Sequence, residues 1–111
     1  MKVFYIDKNN KKLRIMDKLT ENGIENVELK DSYNFRCTKN DFVILTEYNE
    51  KDENNVILNK YNNLIVMTNK IDEKTIWKLA NEYHTKDVIS SKCDEDYIAK
   101  RISKFILNKS L

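Results

Sequence analysis

The chain has 111 residues, 41% of them hydrophobic and 34% charged, and its 20 basic and 18 acidic residues leave a net charge of +2. A chain of this length forms one domain and can bury one core without disulfide or metal staples. No apolar run approaches the roughly 18 residues that a membrane span needs, and a charge so close to balance gives no overall reason to bind nucleic acid.

Met1 to Asp7 has too short an apolar region, and no small-residue cleavage site, to be a signal peptide, so a cytoplasmic location is expected. Lys2 to Ile6 reads as a first strand. The polar turn Asp7-Lys8-Asn9-Asn10 follows, with Asn residues suited to cap a helix. Leu13, Met16 and Leu19 recur at three-residue steps beside Ile15, which predicts an amphipathic helix over residues 10 to 22. Gly23, the only glycine of the chain, ends it. Val27 and Leu29 then alternate with Glu28 and Lys30, the pattern of an edge strand.

Asp31 to Lys39 fits either a single helical turn or an irregular crossover, with Tyr33, Phe35 and Cys37 alternating along it. Asp41-Phe42-Val43-Ile44-Leu45-Thr46 is a compact apolar run rich in branched residues and bounded by polar segments. That is how a strand buried on both faces reads, and it predicts the central strand of a parallel sheet. Asn49 to Asn55 is polar and predicts a loop. Val56, Ile57, Leu58 and Tyr61 suggest a short third helix, and Leu64 to Met67 predicts a fourth strand ending at Thr68.

Asp72 and Glu73 begin a fourth helix, with acids at its positive end. Ile76, Leu79, Ala80 and Tyr83 form its expected core stripe, and Trp77 lies beside it. Val88-Ile89-Ser90 is the fifth strand. Lys92-Cys93 and a last helix capped by Asp94 follow, with Ile98, Ile102, Phe105 and Ile106 as its apolar stripe. The basic stretch from Lys100-Arg101 through Lys104 to Lys109 reads as a solvated helix face. Strand and helix alternate throughout, and right-handed crossovers then place helices on both faces. The predicted architecture is a three-layer α/β/α sandwich around a five-stranded, doubly wound parallel sheet of strand order 2-1-3-4-5, with reduced second and third helices.

Sites in open parallel sheets form at the carboxyl ends of the strands, where Asp7, Thr46, Thr68 and Lys92 are expected to gather. With one glycine and no proline, neither a P-loop nor a dinucleotide-binding loop is possible, because both need backbone close to phosphate. Cys37, Cys93 and His84 match no metal-ligand spacing. The cysteines are expected to be reduced packing or surface thiols, and no cofactor is expected.

The order of elements, with Asp7 after the first strand, Thr68 after the fourth and Lys92 in Asp87-Val88-Ile89-Ser90-Ser91-Lys92, resembles the receiver domains of bacterial response regulators over nearly the whole chain. The resemblance implies a flavodoxin-like fold in which Asp7 matches a metal-binding acid, Thr68 a switch hydroxyl and Lys92 a phosphate-contacting lysine. The departures fall at the chemistry. Thr46 stands in the register of the family's phosphoryl-accepting aspartate, with Glu47 next to it, and Lys8 replaces the second acid of the first-strand pair. A threonine without an adjacent base is not an activated nucleophile, and an ammonium opposes Mg²⁺. Lys8 is expected to pair with Asp7 or Glu47 or else to point into solvent. Ile89 and Cys93 replace the family's usual switch aromatic and proline.

These departures predict a degenerate, phosphorylation-independent, non-enzymatic pseudo-receiver. It would dimerise or dock an effector through Trp77, Lys78, Asn81 and Glu82 on the fourth helix and Lys100 and Lys104 on the last. Nucleic acid would be reached only through an attached effector domain, such as a transcription regulator. The alternatives are a phosphorylatable receiver with Glu47 or Thr46 as acceptor, a localisation domain of a pilus- or chromosome-partition-type ATPase, and a thiol enzyme acting through Cys93 or Cys37.

Overall fold

The computed structural model describes residues 1–110, with side chains described through residue 108, so the Lys109 side chain lies outside the described residues. The elements run β1 (Val3–Ile6), α1 (Leu13–Glu21), β2 (Val27–Lys30), β3 (Phe42–Leu45), a 3₁₀ helix (Glu53–Lys60), β4 (Asn63–Thr68), α2 (Glu73–Glu82), β5 (Asp87–Ser90) and α3 (Glu95–Ser110). All strand pairs are parallel in the order β2-β1-β3-β4-β5.

The apolar runs of β1, β3 and β4 are continuous because these strands are covered on both faces. Val3, Tyr5, Phe42, Ile44, Ile65, Met67 and Ile89 pack under Ile15 and Leu19 of α1 and Ile98, Ala99, Ile102 and Ile106 of α3. The alternate residues Phe4, Ile6, Val43, Leu45, Leu64 and Val66 pack under Leu58 and Tyr61 from the 3₁₀ helix region and Leu79 and Tyr83 of the α2 region. Each such side chain, fully buried, contributes about 1.5–3 kcal/mol. The paired edge residues of β2 are only half-buried or exposed, in keeping with the expected edge strand.

The two faces are unequally covered. One carries α1 and α3, while on the other no second α-helix forms between β2 and β3. Residues 31–39 instead run as an irregular crossover, in which Tyr33, Phe35 and Cys37 turn inward and their neighbours turn outward. Phe35 stacks between Phe4 at 4.4 Å and Tyr61 at 5.8 Å, filling with rings the space a helix would occupy. Asp41 closes the crossover by accepting the N–H groups of Thr38 (2.8 Å) and Lys2 (2.9 Å). The third helix is present as a 3₁₀ helix, with Asp52 accepting from the Asn54 N–H at its start.

Three local expectations are corrected. The first helix spans Leu13–Glu21 rather than residues 10 to 22, and its N-cap position, Lys12, has no side-chain cap. Asn10 has a positive φ of 54° and belongs to the preceding turn. The core stripe of α2 is Thr75, Leu79 and Tyr83 rather than one including Ile76 and Ala80; Ile76 is 40% exposed and Ala80 is exposed. The four-residue step onto Leu79 and Tyr83 sets the helix rotation, and it brings the small Thr75 towards the sheet. By contrast, Gly23 ends α1 as expected: at φ 93° it lets the Ile24 N–H reach Leu19 O at 3.1 Å and its own N–H reach Thr20 O at 3.1 Å. Those two bonds satisfy carbonyls that the helix end leaves open. The Asp94 carbonyl accepts the Ile98 N–H at 3.0 Å, placing Asp94 at the start of α3.

Candidate functional site

With every strand parallel, the carboxyl ends of β1, β3, β4 and β5 open on one edge, and a cleft of about 330 Å³ lies there. Thr46 and Glu47 after β3, and Thr68 at the end of β4, line it as the sequence predicts. Lys11 and Lys12 from the β1–α1 loop, Tyr48, Asn69, Lys70 and Ser91 complete the wall.

Asp7 is buried at the head of this loop but faces away from the cleft wall. Its carboxylate accepts the backbone N–H groups of Lys11 (3.2 Å) and Lys12 (2.8 Å), folding the loop back over the end of β1. Tyr5 fixes the same loop from below, donating its hydroxyl to Lys12 O at 2.6 Å. Burial, and then the neighbouring Asp7 carboxylate, drive the Tyr5 phenol well above its ordinary pKa, so it stays a donor.

Thr46 occupies the central position and is buried. Its hydroxyl donates to the Ile6 carbonyl at 2.7 Å, and its own N–H reaches the same oxygen at 3.1 Å. The hydroxyl proton is therefore held by a backbone carbonyl, which cannot serve as a base, and no activated nucleophile results. Glu47 is exposed on the cleft rim. Thr68 Oγ1 accepts the Lys70 N–H at 3.2 Å, and the Tyr48 N–H donates to Met67 O at 3.1 Å, which ties the loop after β3 to β4.

Lys8 corrects the expectation most sharply. It pairs with neither Asp7 nor Glu47 and does not point freely into solvent: its Nζ lies 2.8 Å from Asp52 Oδ2 and 4.8 Å from the centre of the Tyr33 ring. Partial burial works against the Lys8 charge, but the Asp52 contact outweighs it and raises its pKa. The Lys8 bond, followed by the Asn54 N–H, holds the Asp52 carboxyl below its usual range. Lys8 thus leaves the cleft and ties the β1–α1 loop to the start of the 3₁₀ helix. Lys92 is also absent from the cleft wall. It is exposed, and the chain turns so that Ser91 takes its place, donating its hydroxyl to Asn69 Oδ1.

Receivers that accept phosphoryl groups rely on Mg²⁺, and the donor set here does not suit it. Both Asp7 oxygens are engaged by backbone N–H groups, Lys8 replaces an acid, and the Thr46 hydroxyl is committed to Ile6. Among the described residues no group of three His, Cys, Asp or Glu side chains is placed to hold a metal ion.

Outside the cleft lining, Trp77 is 62% exposed. Lys78 is half-buried, and Asn81, Glu82, Lys100 and Lys104 are exposed. Asn81 donates to Trp77 O at 2.8 Å. Helices α2 and α3 cover opposite faces of the sheet and flank its β5 edge. There Arg101 makes a two-pronged bond to Asp87, at 2.7 and 2.5 Å, and contacts the Tyr97 hydroxyl at 3.2 Å. In the sequence Arg101 stands within a basic run, and nothing there signals its partner Asp87, 14 residues earlier.

No protein-family model and no curated protein sequence matches the chain. Solved structures do. A response regulator from Thermotoga maritima superposes with a TM-score of 0.75 at 19% identity, covering 96% of this chain and 97% of the other. The fold is that of a response-regulator receiver domain. HP1043, an orphan response regulator of H. pylori, gives a TM-score of 0.69 at 16% identity over 96% of each chain. The phosphorylated cyanobacterial phytochrome response regulator RcpA gives 0.69 at 16% identity, covering 99% of this chain and 96% of the other. No helix among the described residues is long and apolar enough to cross a membrane.

Proposed function

We propose that this receiver-like domain is a phosphorylation-independent, non-enzymatic pseudo-receiver that signals by pairing with itself or with an effector. The observation that carries this reading is Thr46: at the end of the central strand it is buried and its hydroxyl is donated to the Ile6 carbonyl. The poor fit of Asp7 and Lys8 to Mg²⁺ supports it. The docking face is assigned to Trp77, Lys78, Asn81 and Glu82 of α2, with Lys100 and Lys104 of α3, flanking the β5 edge. Trp77 is the anchor, because a large exposed aromatic loses the most water on docking and interface energy concentrates in such residues.

Two measurements on the purified chain test this. Intact mass after incubation with acetyl phosphate and Mg²⁺ is expected to stay unchanged. Light scattering across concentrations is expected to show a dimer that the phosphodonor does not alter and that Trp77→Ala weakens. A stable mass gain that Glu47→Gln abolishes would overturn the reading in favour of a receiver that uses Glu47, the one carboxylate on the cleft rim, as acceptor.

A further inference from the structure

Lysines at the carboxyl edge divide into two groups. Lys8 is neutralised by Asp52, and Lys70 lies 3.3 Å from Glu50 and 3.8 Å from Asp72. Lys11 and Lys12 both line the cleft, and among the described residues neither ammonium has a carboxylate partner. Asp7, the carboxylate nearest in sequence, is turned into the backbone of their own loop. The cleft therefore carries positive charge on one wall, and among the described residues that line it Glu47 on the rim is the carboxylate that opposes it.

Neutral donors complete the opposite wall. Thr68 Oγ1 accepts from the Lys70 N–H, which leaves its hydroxyl hydrogen for another acceptor. Asn69 Oδ1 accepts from Ser91 Oγ, which orients its amide nitrogen, a donor, away from Ser91. Two ammonium groups and two neutral donors suit an anion with several acceptor oxygens better than a carboxylate with two. A phosphate monoester offers three such oxygens and close to two negative charges. At about 330 Å³ the cleft is larger than one phosphate ion needs, and Glu47 stands where it can accept from hydroxyl groups on the ligand's body.

We propose that this cleft reversibly binds a small phosphate monoester bearing hydroxyl groups, held by Lys11 and Lys12 on one side and Thr68 and Asn69 on the other, with no phosphoryl transfer. The proposal rests on the phosphorylation-independent reading, since a phosphoryl group carried on Glu47 would occupy the cleft and repel a second anion. The bound anion would join the β1–α1 loop to the β4–α2 connection.

The test is an NMR titration of the ¹⁵N-labelled chain with inorganic phosphate and with ribose 5-phosphate at constant ionic strength, with sodium chloride as control. Saturable shifts are expected at the amides of Thr68, Asn69, Lys70 and Ser91, with ribose 5-phosphate the tighter ligand. Replacing both Lys11 and Lys12 by Ala is expected to weaken binding about tenfold or more, the scale for losing two charge-assisted contacts. Glu47→Gln tests the same site without removing a donor: it is expected to tighten inorganic phosphate and narrow the advantage of ribose 5-phosphate. Shifts that never saturate, that spread over Lys100 and Lys104 or that survive the double replacement would overturn the proposal. So would a Glu47→Gln variant that binds both ligands as the parent does. Intact mass after acetyl phosphate and Mg²⁺ separates the two readings. Failure to bind with no mass gain sinks this site alone, whereas a mass gain sinks the phosphorylation-independent reading beneath it.

Discussion

Asp7 offers the sharpest test of whether the carboxyl edge is a metal site or a folded loop. A metal-binding acid repels its neighbours when no ion is bound, so neutralising it stabilises the domain. The geometry here predicts the opposite. Asp7 is 2% exposed and accepts two backbone N–H groups, at 3.2 and 2.8 Å. A hydrogen bond to a charged group contributes about 1.5–3 kcal/mol, and a buried donor left without an acceptor costs about 1–3 kcal/mol. Asp7→Asn keeps one acceptor oxygen and sets its new NH₂ against the other backbone donor. One bond is lost and one N–H is orphaned, so a net loss of about 2–4 kcal/mol is expected, with a fall in Tm of roughly 10 °C or more. Urea unfolding followed by circular dichroism at pH 7, with and without Mg²⁺, measures it. A variant as stable as the parent would refute the structural role of Asp7. A parent that Mg²⁺ stabilises while the variant is indifferent would restore the metal site.

Lys8→Met removes the tether to Asp52. Because that pair is partly exposed, a cost of only about 0.5–1 kcal/mol is expected. The Asp52 carboxyl is also expected to rise towards its ordinary range, as read from its NMR titration. Its folded pKa lies below the unfolded value, so the pair stabilises the fold above about pH 4 and loses that contribution as pH falls through the lowered Asp52 pKa. Phe35→Ala opens the ring stack between Phe4 and Tyr61 and is expected to cost about 3 kcal/mol in chemical denaturation, somewhat less if the crossover collapses into the gap. For Asp41, burial opposes the charge, but the Thr38 and Lys2 N–H groups outweigh it and lower its pKa. Asp41→Asn is expected to cost about 1–3 kcal/mol at pH 7. The gap to the parent should close as acid protonates Asp41, which a stability profile against pH will show.

The sheet was legible because burial on both faces writes itself as unbroken branched and aromatic runs. Asp41 to Thr46 and Leu64 to Met67 needed no tertiary information to be placed. The edge position of β2 followed from the alternation of Val27 and Leu29 with Glu28 and Lys30. Tyr33, Phe35 and Cys37 carried the same period-two signal, and the extended crossover obeys it; what remained hidden was that Phe35 finds its partners on β1 and beyond the 3₁₀ helix. The rotation of α2 was misread because counting apolar residues favours Ile76 over Thr75. Packing ranks them by what fits beneath the helix once Leu79 and Tyr83 are seated.

At the site, strand ends were readable and loop directions were not. Thr46 and Thr68 follow directly from where β3 and β4 stop. Lys92 failed because the chain turns one residue earlier and brings Ser91 to the cleft, and Lys8 failed because its partner, Asp52, is 44 residues away. Lys11 and Lys12 become visible only once Asp7 is seen to fold their loop back over the strand. The same bonds constrain how any signal must work. The β1–α1 loop is held by Asp7, by the Tyr5 hydroxyl and by the Lys8–Asp52 pair, and Thr46 is bound to the end of β1. A switch that moves this loop would have to break several of these contacts together, so a ligand could drive it only by binding the moved state correspondingly more tightly. A ligand that fits the cleft as it stands, as the proposed phosphate monoester does, would add to these contacts and hold the loop where it is.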